Sequence, residues 1–205
     1  MGFLVRKDLQ TKLAKQSKRE GLLWLEVQRS LFVAVVYLVP NDRSGMNEDT
    51  LQELQQDIIS FKERGEVMVM GDFNCRIGEL SNCITSGDSE IVEIGRCSED
   101  RVETLQGRKL IEKLNAVDLV VMNGVKQQAR FTSYQVAGNS VIDLLWVEHK
   151  RVQDVFAMRV WNEDMEVLGD HRIVTMDMLR MDLHRPNELR VREEKKEQRA
   201  KRRDR

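Results

Sequence analysis

The segment Val67-Met68-Val69-Met70-Gly71-Asp72-Phe73-Asn74 contributes most to the fold prediction for this chain. Four consecutive apolar residues predict a short strand. The strand runs directly into Gly71-Asp72-Phe73-Asn74, so a carboxylate and a carboxamide stand where it ends. A strand followed at once by polar side chains is a common way to place reactive groups at the rim of a sheet.

Upstream of this segment, the sequence predicts a β-hairpin and then a helix. The hairpin joins residues 22–27 to the Val-rich run 31–39, which we expect to be buried on both faces. The helix is predicted to begin at Thr50, because Thr50 and Glu53 have capping-box spacing, and to end near Gly65.

Downstream, the sequence predicts a second helix and several more strands. We expect residues 78–103 to form a long surface loop, because they are polar and have little periodicity. The hairpin predicted from residues 131–136 and 141–147 bends at Gly138-Asn139. The other predicted elements are a helix over 105–116 and strands over 119–122, 152–161 and 173–178. This mixture predicts an α/β protein whose sheets are covered by helices.

The composition suits one folded domain with a basic tail. Of the 205 residues, 41% are hydrophobic and 33% are charged, and the formal net charge is −1. Residues 185–205 carry a net charge of +5 and the rest of the chain −6. We therefore predict a domain over residues 1–183 and a charged, helical or disordered tail over 184–205.

The cysteines and the hydropathy argue against a secreted or membrane protein. The three cysteines have no metal-site spacing, and we expect free thiols in a reducing compartment. No apolar run reaches the roughly 20 residues that span a bilayer, and the N-terminus lacks the apolar core of a signal peptide. The sequence thus predicts an intracellular protein, with nuclear targeting by the basic tail as the lesser alternative.

Three polar segments carry the chemistry. They are Gly71-Asp72-Phe73-Asn74, Ser140-Val141-Ile142-Asp143 and Gly169-Asp170-His171. Carboxylates are the ligands that Mg²⁺ prefers, and a bound divalent ion offsets charge on phosphate oxygens. An imidazole backed by a carboxylate can donate to a phosphate. These residue types match what hydrolysis of a phosphodiester needs.

Each of these residues also has a purely structural interpretation. Asp72 and Asn74 are good turn formers. His171 alone would more often be an ordinary hydrogen-bonded histidine, and Tyr37, at the end of a strand, would be a core residue. The three tryptophans fit core or edge packing better than base stacking.

The ordered set of three motifs resembles the endonuclease/exonuclease/phosphatase superfamily. The finer resemblance is to the endonuclease domain of LINE-type retrotransposons. It rests on residues 35–40 (V-V-Y-L-V-P), 71–79 (G-D-F-N-C-R-I-G-E) and 139–147 (N-S-V-I-D-L-L-W-V), and covers residues 2–179. The resemblance implies a four-layer α/β/β/α sandwich of two packed mixed sheets flanked by helices, incomplete at the N-terminus.

The resemblance also implies residue roles. Asp72 would orient or deprotonate the attacking water, and Asn74 would hold that water and the scissile phosphate. Asp143 would support His171, which would contact the phosphate. Asp170 would polarise the site or contact the metal. Tyr37 and, less directly, Thr132 would lie against the phosphate. The implied cofactor is Mg²⁺ or Mn²⁺, and the implied partner is the phosphate backbone of DNA.

The chain departs from the family pattern at its start. Family members open with a strand that bears an Asn and then one that bears a metal-binding Glu, and neither Glu20 nor Glu26 has the matching context. We therefore expect weak metal binding and an exposed sheet edge. Three functions stay open: an impaired DNA-nicking endonuclease, an inactive remnant that binds nucleic acid or protein, and a phosphatase or phospholipase of the same superfamily.

Overall fold

A computed structural model of the chain describes residues 1–17, 21–40, 42, 44–85, 90–136, 138–161 and 169–179. Its elements are β1 Thr11–Gln16, β2 Leu22–Val27, β3 Leu31–Tyr37, α1 Met46–Lys62, β4 Glu66–Asp72, β5 Asn82–Thr85, β6 Ile91–Ile94, α2 Leu105–Asn115, β7 Leu119–Val121, β8 Ser133–Gln135, β9 Gly138–Ser140, β10 Asp143–Glu148, a 3-10 helix His149–Asp154, β11 Val155–Val160 and β12 Val174–Met178.

A six-stranded mixed sheet forms the centre of the molecule. Its strand order is β1-β2-β3-β4-β10-β7. Strands β3 and β4 are parallel and are connected through α1, while the other neighbouring pairs are antiparallel. Parallel neighbours need such a crossover connection, and the apolar runs of β3 and β4 suit strands covered on both faces.

The two helices cover one face of this sheet. The alternating residues Val67 and Val69 of β4 point towards them, as do Leu144 and Trp146 of β10. The larger buried side chains of this layer are Trp24, Phe32, Leu54, Ile58, Phe61, Leu110, Leu114 and Trp146. Phe61 of α1 stacks on Phe32, with ring centroids 4.5 Å apart.

A second, two-stranded sheet of β11 and β12 covers part of the opposite face. Val155 and Met158 pack there against Leu145 and Val147 of β10, and Met176 lies against the same cluster. The fold prediction is confirmed as a mixed α/β sandwich. The described residues supply a helical layer, the large sheet and the small second sheet.

The first helix begins earlier than predicted. It starts at Met46 after the N-cap residue Gly45, whose φ is 82°. The side chain of Asp42 accepts hydrogen bonds from the backbone N–H groups of Ser44 and Asn47, which organises the chain into the first turn. The capping box is therefore wrong: Thr50 lies inside the helix, and its hydroxyl donates to the carbonyl of Met46.

The strand pairing differs from the predicted one in two places. Residues 78–103 are not all loop, because β5 and β6 pair antiparallel within them. The predicted hairpin of residues 131–136 with 141–147 is also wrong. The chain turns more tightly, so β8 pairs with β9, and β10 instead lies between β4 and β7.

Other predictions fall outside these elements. Cys75, Cys83 and Cys97 are free, as expected. Among the described residues, no helix has the length and apolar character to span a membrane. The tail over residues 184–205 and its predicted boundary lie outside the described residues.

Candidate active site

Three of the predicted site residues lie side by side on neighbouring strands. Asp72 is the last residue of β4, and it pairs across the sheet with Asp143, the first residue of β10. On the other side of β4, Tyr37 ends β3 in parallel register with Asp72. The strand ends therefore bring together side chains that are up to 106 positions apart in the sequence.

His171 joins this row through Asp143. Its Nδ1 lies 2.9 Å from Oδ2 and 3.1 Å from Oδ1 of Asp143. The backbone holds the ring in place, because His171 forms a β-bridge with Ser133, and the N–H of Arg172 donates to the carbonyl of Thr132. Asp72, Asp143 and His171 thus form one group at one rim of the large sheet.

The surroundings raise the pKa of His171. Burial opposes the charged imidazole, but the charge of Asp143 and its hydrogen bond outweigh burial, with smaller contributions from Asp72 and Asp170. With Nδ1 turned to Asp143, the other ring nitrogen, Nε2, is the one that can face a substrate.

Asn74 holds Asp72 rather than pointing away from it. Its backbone N–H donates to Oδ1 of Asp72 at 2.9 Å, and its Nδ2 donates to Oδ2 at 3.0 Å. Nδ2 also donates to the carbonyl of Leu38 at 2.8 Å. Both partners of Nδ2 are acceptors, so the amide nitrogen must face them and both of its protons are used. The φ of 45° at Asn74 allows this tight arrangement.

Asp72 is a stronger proton acceptor than an ordinary aspartate. Burial raises its pKa most, the Asn74 backbone bond opposes the rise, the negative charge of Asp143 adds to it, and His171 lowers it. The net direction is upward. Asp72 and His171 therefore lie together as a basic carboxylate and an imidazole that favours its charged form.

Thr132 lies behind the site. Its side chain is fully buried, and its hydroxyl accepts hydrogen bonds from the N–H groups of Ile142 at 3.2 Å and Asp143 at 3.1 Å. The hydroxyl thus holds the backbone at Ile142 and Asp143, and the predicted contact of Thr132 with a phosphate stays a prediction.

Tyr37 and Asp170 lie at the open edges of the site. Tyr37 is 44% exposed and borders, with Asp72, a cavity of about 980 Å³ along strands β2 and β3. Asp170 is exposed, and its Oδ2 accepts a hydrogen bond from Nε2 of Gln135 at 3.1 Å.

The sequence did not point to Asn123 as a site residue. Asn123 is buried, and its side chain holds the start of β10. Its Nδ2 donates to the carbonyl of Asp143, and its Oδ1 accepts from the N–H of Leu145. A polar residue directly after the apolar run Leu119-Val120-Val121-Met122 was the available signal.

A divalent ion at this site would be held by carboxylates that come from separate segments of the chain. Among them, no group of three or more His, Cys, Asp or Glu side chains is arranged to hold a metal. Mg²⁺ commonly binds through one or two carboxylates, with water and substrate phosphate completing its shell. The exposed carboxylate of Asp170 fits that arrangement.

Comparison with known proteins identifies the family. The model of the family described as endonuclease-reverse transcriptase matches residues 31–175, which include Tyr37, Asp72, Asn74, Asp143 and His171. The chain belongs to the endonuclease-reverse transcriptase family. This family is part of the endonuclease/exonuclease/phosphatase superfamily, so the resemblance described above is confirmed.

Several solved structures share the fold of this chain at low sequence identity. The endonuclease domain of TRAS1, a telomere-specific non-LTR retrotransposon, has a TM-score of 0.60 at 14% identity, over 86% of this chain and 71% of that domain. A variant of the 3′ phosphatase NExo from Neisseria, bound to product DNA hairpin, has a TM-score of 0.55 at 15% identity, over 86% and 72%. The 3′-5′ exonuclease NExo from Neisseria meningitidis has 0.55 at 15%, over 83% and 70%. No curated protein matches the chain in sequence.

Proposed function

We propose that this chain is a Mg²⁺-dependent phosphodiesterase of retrotransposon origin that nicks DNA. The observation that carries the proposal is the Asp143–His171 pair, placed directly beside Asp72 at the rim of the large sheet. The family membership and the fold shared with the TRAS1 endonuclease domain support a nucleic-acid substrate.

The proposed chemistry rests on the placement of Asp72, Asp143 and His171, and the upward pKa shifts of Asp72 and His171 suit it. Charged His171, held through Nδ1 by Asp143, directs Nε2–H at a phosphate oxygen and offsets the negative charge that builds there. Asp72 takes a proton from water as the water oxygen bonds to phosphorus. The bond from phosphorus to the leaving sugar oxygen breaks, and solvent protonates that oxygen.

Several residues contribute by holding other groups of the site in place. Asn74 donates to both oxygens of Asp72, which restricts the rotation of that carboxylate. Thr132 fixes the backbone before Asp143. We propose that Asp170 binds Mg²⁺ weakly and that the ion would neutralise phosphate charge when present. We propose that Tyr37 lies against the phosphate.

Nicking of supercoiled plasmid by the purified protein tests the proposal. We expect conversion to the open circle with Mg²⁺ and none with excess EDTA. The Asp143→Ala variant should lose about 100-fold or more in rate, because His171 loses the partner that orients and charges it. Asp177→Ala, which removes an aspartate from an exposed pair with Arg159, should nick at the wild-type rate. Absence of nicking by the wild-type protein at high concentration would refute the endonuclease function.

A non-catalytic chain that only binds nucleic acid or protein is the second candidate. The absence of any three-residue metal cluster among the described residues favours it. Two measurements separate the candidates. Mg²⁺-dependent nicking that is lost in Asp143→Ala contradicts the non-catalytic function, as does tight stoichiometric binding of Mg²⁺ in a calorimetric titration, whereas DNA binding without any nicking supports it. Phosphate release from inositol phosphates, with plasmid left intact, would instead identify a phosphatase of the same superfamily.

A further inference from the structure

A buried carboxylate outside the three motifs connects two of them. Asp100 is 1% exposed and lies in the segment between β6 and α2. Arg76 donates to both of its oxygens, from Nη2 at 2.6 Å and from Nε at 2.9 Å and 3.1 Å. The carboxylate also accepts from the backbone N–H groups of Val102 and Val141, each at 3.0 Å.

The partners of Asp100 belong to the segments that carry the site. Arg76 lies two residues after Asn74, and Val141 lies two residues before Asp143. Arg76 also reaches the second segment directly, because its Nη2 donates to the carbonyl of Asn139 at 3.2 Å. One carboxylate thus bridges the loop after β4 and the approach to β10.

Asp100 and Thr132 together hold the backbone before Asp143. The N–H of Val141 donates to Asp100, while those of Ile142 and Asp143 donate to Thr132. Three successive amides are therefore held by buried side chains. A charged acceptor makes the Val141 bond stronger than a neutral one, and functional side chains need such support to keep a productive geometry.

We propose that Asp100 is a positioning residue of the proposed active site. Through Arg76 and the Val141 amide it fixes the separation of the two motif segments, and so the orientation of the Asp143–His171 pair. The claim that Asp100 affects catalysis rests on the proposed function. The claim that Asp100 holds the two motif segments rests on the hydrogen bonds alone.

A merely stabilising ion pair is the competing explanation, and the chain offers a matched control for it. Asp57 is likewise buried, and accepts from Nζ of Lys15 at 2.6 Å and Nε1 of Trp24 at 2.9 Å. It connects α1 to β1 and β2 and does not bond to any motif segment among the described residues. Asp57→Asn therefore removes a comparable buried charge without altering the approach to Asp143.

Nuclear magnetic resonance of the full chain at fixed pH tests the positioning. In Asp100→Asn we expect the Val141 amide proton to move upfield, and the His171 Nδ1–H signal to shift or broaden. Asp57→Asn should leave both signals in place at a similar loss of melting temperature. Unchanged His171 and Val141 signals in Asp100→Asn would overturn the inference.

A second variant and a kinetic measurement keep the test decisive. Arg76→Lys keeps a cation beside the buried carboxylate but loses the two-pronged contact, so the same signals should move if Asp100→Asn fails to fold. In nicking assays, Asp100→Asn should lower kcat about 10-fold or more with KM within about twofold, and Asp57→Asn should not lower it. If wild-type protein does not nick, the proposed function fails, and the resonance data still decide whether Asp100 orients the pair.

Discussion

At the scale of single residues, burial and neighbouring charges set the pKa values of Asp72 and His171. Asp72 and His171 both have a raised pKa, for opposite reasons. Burial disfavours the charged form of Asp72, whereas the carboxylate of Asp143 favours the charged form of His171. Both residues therefore bind protons more tightly in the folded chain than in the unfolded chain.

We expect Asp143→Asn to lower the pKa of His171. The substitution removes the charge and the charge-assisted hydrogen bond that hold the proton on the ring, while burial continues to oppose it. Titration of the His171 ring resonances measures the change. Asp177→Asn serves as the control, and an unchanged pKa in Asp143→Asn would contradict the assigned pairing.

The same shift gives the stability a pH dependence with a definite sign. Because the folded pKa of His171 is raised, its contribution is fully present below about pH 6.5. It is lost as the pH rises through the raised pKa. The difference in free energy of unfolding between wild type and Asp143→Asn that arises from His171 should therefore shrink as the pH rises from about 6.5 through the raised pKa, as measured by urea unfolding at a series of pH values.

At the scale of the elements, the parallel pairing of β3 and β4 places Tyr37 and Asp72 side by side at the ends of the two strands. Gly71 makes the pairing close: its φ is 149°, and a Cβ there would overlap the carbonyl oxygen of Val36. The absence of a side chain at Gly71 thus lets β3 run beside β4 as far as the Tyr37–Asp72 pair.

Gly71→Ala should destabilise the fold by about 1–3 kcal/mol or more, because the strands must separate to admit the methyl group. Thermal or urea unfolding measures the loss. Gly95→Ala is the matched control, because a Cβ at Gly95 would meet nothing within 4 Å and the φ of Gly95 is not positive. Equal stability of the two variants would show that β3 and β4 tolerate a wider spacing.

The sequence predicted the elements with a clear apolar pattern better than those without one. The strand before Asp72 and the second helix follow apolar periodicity, and both were predicted close to their observed bounds. Strand β1 was missed because Thr11–Gln16 is polar and mostly exposed, so its structure comes from pairing with β2. The β8–β9 pairing was missed because the apolar run 141–147 predicts a strand beside 131–136, whereas β10 pairs with β4 and β7 instead.

The site was predictable as a set of residue types but not as a geometry. The roles of Asn74 and Thr132 depend on which hydrogen bonds their side chains make in the folded chain. Asp100 gave no sequence signal, because a carboxylate in a polar segment is usually solvated and only the fold reveals its burial.

At the scale of the whole molecule, the reactive residues stand at the ends of the best-supported strands. Strands β3, β4 and β10 each have neighbours on both sides, and their side chains fill the helical core cluster. The β5–β6 and β8–β9 pairs are two-stranded sheets of their own. We therefore expect the large sheet below the site to be more rigid than these two-stranded pairs.

Amide hydrogen exchange should follow this division. We expect the slowest exchange in β3, β4 and β10, and exchange at least about tenfold faster in β5–β6 and β8–β9, because short two-stranded pairs open locally at low cost. Mass spectrometry of exchanged peptides measures both. Uniform protection across all of these strands would contradict the division.

The buried thiol beside the site has a practical consequence. Cys75 is nearly inaccessible, and burial and the charge of Asp72 raise its pKa to about 12, whereas Cys83 and Cys97 are exposed. Electrophilic dyes react with thiolates at accessible positions. The unmodified chain can therefore carry maleimide fluorophores at Cys83 and Cys97 while Cys75, next to the reacting groups, stays unlabelled.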